Sequence, residues 1–112
     1  MENYLGKILD ASIVSSGRKV KNGTYITFET HVNITIGQYV DIVFDNKIHH
    51  FEVKDISIKD VKLVVDACEI GYYATKFDND KNFDLRKLID VDIVLITDND
   101  KIKKIKEESC WC

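Results

Sequence analysis

The stretch Ile36–Asp55, IGQYVDIVFDNKIHHFEVKD, decides the fold. Val40, Ile42 and Phe44 fall at every second position, with Tyr39, Asp41 and Val43 between them. Asp45-Asn46-Lys47 then breaks the run with residues that tolerate a tight turn, and the alternation returns with Phe51 and Val53 against Glu52 and Lys54. Period-two patterning places successive side chains on opposite faces of an extended chain, so this is a β-hairpin with one face turned to a core.

The same pattern extends in both directions, with at least five such stretches between Ile36 and Thr97. Upstream, Thr24–Thr30 alternates with Ile26 and Phe28 on one face and Tyr25, Thr27 and Glu29 on the other. Leu5–Ser15 reads as a first strand with Ile8 inward, and with Ile13 or Val14 inward after a local irregularity. Asn22-Gly23 signals a tight turn between these two. Downstream, Val61–Val65 and Ile70–Phe77 read as strands. Phe83–Ile89 is ambiguous between one helical turn and a short 3₁₀ segment. Val91–Thr97 is apolar on both faces, so it is either a central strand or one covered by another element. The tail is the candidate cover: Asp98, Asn99 and Asp100 are good N-cap residues, and Ile102 and Ile105 form a narrow apolar stripe among Lys101, Lys103, Lys104 and Lys106, a short helix that either packs on the barrel or frays. The expected architecture is all-β, a small antiparallel six- to seven-stranded barrel over residues 1–97, followed by a short amphipathic helix and a Cys-Trp-Cys tail over 98–112.

Bulk composition agrees with one globular domain. The chain has 112 residues, 45% hydrophobic and 31% charged, with no proline and a formal net charge of −3. That is long enough for a single core. A non-specific nucleic-acid binder ordinarily carries a basic surplus, which is missing globally. No signal-peptide pattern opens the chain and no run approaches a membrane span. Three cysteines suit a reducing compartment. The expectation is a cytoplasmic protein with no membrane partner.

Several landmarks fall in an order that resembles the second domain of the elongation-factor GTPases, the translation-type β-barrel. These are Gly6-Lys7-Ile8, Ile36-Gly37-Gln38-Tyr39-Val40, Val53 with Ile56, Ala67 before Gly71, and Ile89-Asp90-Val91. The resemblance spans Leu5 to Thr97 and departs at two points: Gln38 stands where the family has an acidic residue, and Ile89 where it has glycine. It implies a binding platform without chemistry of its own. Small barrels of the SH3 and OB kinds share the same alternation.

Catalytic signatures are sparse. There is no phosphate-binding glycine loop and no nucleophile elbow, and no cofactor is expected. His49 and His50 are strand neighbours and so point to opposite faces, which prevents joint ligation of one metal. His49 is expected at the barrel rim and His50 in solvent; His31 belongs to a loop. Cys68 reads as a small core residue. Cys110-Trp111-Cys112 admits a packed or frayed tail, a soft-metal chelate, or a lipidated end. Asp78–Asn82 lacks the glycine and distal glutamate of a calcium loop.

Two partner surfaces follow. Arg18, Lys19 and Lys21 on the first loop, with Tyr25, Tyr39 and Tyr73, combine basic and aromatic groups as small barrels do when they hold single strands or RNA, and form the docking surface expected for a protein or RNA partner. Acidic residues near Asp41, Asp45, Asp78, Asp80, Asp90 and Asp92 would instead suit a small inhibitor or immunity-type protein that blocks a basic partner. An unpaired edge strand would offer a route to a homodimer.

Overall fold

In a computed structural model the described residues are 3–14, 23–70 and 84–108. They form β1 (Tyr4–Val14), β2 (Gly23–Thr30), β3 (Tyr39–Phe44), β4 (Lys47–Lys59), β5 (Lys62–Glu69), a 3₁₀ turn (Leu85–Leu88), β6 (Asp92–Leu95) and the helix α1 (Asn99–Glu108). The strands close in the order β1-β2-β5-β4-β3-β6, and β6 returns to β1. Every pairing is antiparallel. Closure removes the edges that an open sheet of this size would present over most of its length.

The alternation seen in the sequence is the wall of this barrel. Ile8, Ile26, Phe28, Val40, Phe51, Val53, Val65, Ala67 and Ile93 are fully buried and share one interior. Each large aliphatic or aromatic side chain so buried contributes about 1.5–3 kcal/mol. Leu88, from the 3₁₀ turn, is equally buried and joins the same core. The turn is started by Asp84, whose carboxylate accepts from Arg86 N at 3.0 Å.

Local chemistry fixes the connections. Asp45 and Asn46 both take positive φ, 53° and 61°, the conformation of a two-residue type I′ hairpin whose twist matches its strands. Gly6 sits at φ 138° where β1 shifts register against β6, and a Cβ there would lie 3.1 Å from the Glu29 carbonyl oxygen. β1 and β4 each carry one further register shift, between Ile8 and Asp10 and between Val53 and Asp55. These are the irregularities that let a long strand bend around a narrow barrel.

Some boundaries differ from those expected. β4 runs on to Lys59 rather than ending at Asp55, because its charged far half pairs with β5 beyond the barrel wall. β6 is only Asp92–Leu95, since Ile96 has left the β1 ladder and turned to the helix. Asp98 caps that helix, accepting from Asp100 N at 2.9 Å. Ile105 is buried and Ile102 packs beside it against Ile70, Ile96 and Tyr39. The two-faced last strand is thus both central, between β1 and β3, and followed by a residue, Ile96, that α1 covers. Ile70 is buried and donates its N–H to His50 O at 2.9 Å. The rest of the expected Ile70–Phe77 strand, the first loop and the Cys-Trp-Cys tail lie outside the described residues.

Candidate binding surface

The strand registers sort the outer wall into rows. Tyr39 faces Glu52, Glu52 faces Cys68, and Cys68 faces Tyr25. Tyr25 and Tyr39 thus lie on one cross-strand row, separated by two residues, and both are half-buried. Burial, and after it the neighbouring Cys68 thiol with which it hydrogen-bonds, pushes the Tyr25 hydroxyl up to about 12. Burial raises Tyr39 as well, with the Glu52 charge adding to it. Arg18, Lys19, Lys21 and Tyr73 fall outside the described residues. Tyr39 also belongs to the seat of α1, so its ring serves packing whatever else it meets.

A second row runs Tyr4, Val94, Asp41, His50. Asp41 is outward-facing yet buried, because the helix lies over it. His50 Nδ1 bonds to its Oδ1, and Lys101 Nζ stands 2.9 Å from its Oδ2 as an ion pair without hydrogen-bond alignment. This corrects two expectations. His50 is not freely solvated, and Asp41 is no part of an acidic face open to a partner. Alternation identifies the outer face, but only tertiary structure shows that a helix covers part of it.

His49 is the inward neighbour, and it is buried rather than at the rim. Its Nδ1 meets Glu69 Oε2 at 2.8 Å, with both side chains almost wholly enclosed. A histidine oriented by a carboxylate is half of a nucleophilic arrangement. The inward-facing Thr24 hydroxyl is buried without a hydrogen-bond partner, so it is not engaged by this pair. Among the described residues no group of three or more His, Cys, Asp or Glu side chains is placed to hold a metal ion.

The third row is where the surface becomes apolar. Lys7 faces Asp92, and their side chains pair at 3.0 Å. Tyr4 Oη donates to the same carboxylate at 3.1 Å. These bonds from Lys7 and Tyr4 hold the Asp92 carboxyl below its usual range. Continuing the β3–β6 register by one residue sets Asp92 beside Val43, and Val43 faces Ile48. Both aliphatic side chains are more than half exposed. On the other side of Tyr4 a groove of about 600 Å³ opens between β1, β6 and the start of α1, with Val94 and Ile96 in its lining and Asp98 and Lys101 from the helix side. Sequence reasoning missed this patch. Its one local signal was the pair of apolar residues, Val43 and Ile48, at outward positions of an otherwise alternating hairpin.

What the described residues support is a small closed six-stranded antiparallel barrel with a short helix against its wall. No described helix is long and apolar enough to cross a membrane. No family model matches the chain, and no curated protein or solved structure matches it either.

Proposed function

We propose that this barrel is a non-enzymatic binding module whose partner is a protein, met on the outer wall of β1, β6, β3 and β4. The observation that carries this reading is the exposed Val43–Ile48 pair, continuous through Asp92 with Tyr4 and the groove beside α1. Exposed aliphatic residues gathered beside fixed polar groups suit a protein surface better than a phosphate backbone, which is held by free cations. Here Lys7 is already tied to Asp92 and Lys101 to Asp41. The barrel interior is filled by side chains, so the wall and loops are the surfaces available to a partner.

A translation-factor-like role is the finer form of this reading and rests on the resemblance of the sequence landmarks. RNA as the partner rests on the first loop and on the exposed Lys103 and Lys104 of α1. The inhibitor reading draws on the exposed Asp45 and Asp90. A cytoplasmic location goes with each of these. Affinity capture with the full chain, with and without nuclease, against the same chain carrying Val43→Lys and Ile48→Lys, separates them. The proposal expects a nuclease-resistant protein partner that the double variant loses. Capture of nucleic acid alone, or of a protein partner held equally by the variant, would refute it.

A further inference from the structure

Among the described residues, β4 leaves the barrel with one edge uncovered. On its β3 side, pairing extends only to Glu52, with Gly37 and Gln38 prolonging it to Val53. From Asp55 to Lys59 its one partner among the described residues is β5. Val53 directs both its N–H and its C=O toward the β3 side, to Gln38 O and from Gly37 N, each at 2.9 Å. Past the register shift at Lys54 the same orientation recurs at Ile56 and Ile58. The Ile56 N–H bears this out: instead of joining the ladder it is held by its neighbour's carboxylate, Asp55 Oδ1, at 3.0 Å. Ile58 has 79% of its surface exposed. An open edge with outward backbone groups and an exposed apolar side chain is a template for another strand.

The sequence of that edge specifies which strand. Asp55-Ile56-Ser57-Ile58-Lys59 is self-complementary when laid antiparallel on itself about Ser57. We propose that two copies of this chain associate edge to edge through this segment, across a twofold axis at Ser57. Ile56 of one copy then exchanges both backbone hydrogen bonds with Ile58 of the other, and the reverse pair does the same. Asp55 lies opposite Lys59 on one face of the shared sheet, twice. Ile56 and Ile58 meet on the other face and cover the exposed Ile58. Asp55 gives up its own Ile56 N–H to the partner's carbonyl and takes the partner's lysine in return. Neither Asp55 nor Lys59 has an ion-pair partner within its own chain among the described residues. A pairing in which the same patch serves both subunits is the geometry of a twofold dimer.

Sedimentation of the full chain under reducing conditions, from about 1 μM to about 1 mM, tests this. The wild type is expected to pass from monomer to dimer across that range. Asp55→Lys and Lys59→Asp each set like charges opposite one another at two places and are expected to weaken association about tenfold or more. An equimolar mixture of the two variants restores both opposite-charge pairs in a heterodimer and is expected to recover wild-type association. A wild type that stays monomeric throughout would overturn the proposal, as would variants that dimerise like wild type or a mixture that fails to recover.

Discussion

Asp41 joins β3, β4 and α1, and its energetics follow from how unequally its group is buried. The Asp41 side chain is 4% exposed, against 23% for His50 and 45% for Lys101. Asp41→Asn therefore leaves two donors that can turn to water, and the loss is that of a partly exposed pair, about 1–2 kcal/mol. The double change His50→Leu with Lys101→Met does the opposite. It leaves a buried carboxylate with no partner, which costs about 3–5 kcal/mol. Adding Asp41→Leu to that pair removes the stranded charge and should return most of the loss. Urea unfolding followed by circular dichroism reads all three. With a slope of about 1.5 kcal/mol/M, the midpoint falls by about 1 M for Asp41→Asn and about 2–3 M for the double variant. If Asp41→Asn costs as much as the double variant, the carboxylate is not the buried member of the group and the reasoning fails.

Ile105→Ala should cost about 2–4 kcal/mol of helix docking; because a ten-residue helix is marginal alone, amide exchange over Asn99–Glu108 should accelerate while the strands keep their protection. Gly6→Ala should destabilise the fold by about 1–3 kcal/mol in chemical denaturation, since it forces a side chain into positive φ and against the Glu29 carbonyl. Tyr25 should ionise near pH 12 in the native protein, seen as a phenolate absorbance step that Tyr25→Phe removes. The sign follows from linkage: its folded value lies above the ordinary 10, so its contribution is whole below pH 10 and is lost as pH rises through about 12.

The barrel was legible wherever local pattern and tertiary burial coincide. Ile26 with Phe28, Val40 with Ile42 and Phe51 with Val53 each read as inward from alternation alone, and each is in the core. The two-faced last strand and the Ile102–Ile105 stripe made a covering helix one of the open alternatives, and α1 packs there. What stayed hidden depends on partners distant in sequence. His49 could not be read as buried because its partner, Glu69, lies on another strand. Asp41 carries the pattern of a solvated outer residue, and only the position of α1 over β3 encloses it. The far half of β4 looked like a strand end because DISIK is charged, yet β5 pairs with it throughout. The candidate surface was hidden for the same reason. Tyr4, Asp92 and the Val43–Ile48 hairpin pair come from three separated segments that only the closed register sets side by side.

Closure of the sheet is the claim on which the core, the outer rows and the open β4 edge all depend, and Ile93 reports on it from one position. It lies opposite Gly6 of β1 and opposite Ile42 of β3 at the same time. Cross-strand nuclear Overhauser effects from the Ile93 backbone should connect to both Gly6 and Ile42 in a single set of resonances. Effects to one neighbour with none to the other would mean an open sheet and contradict the account.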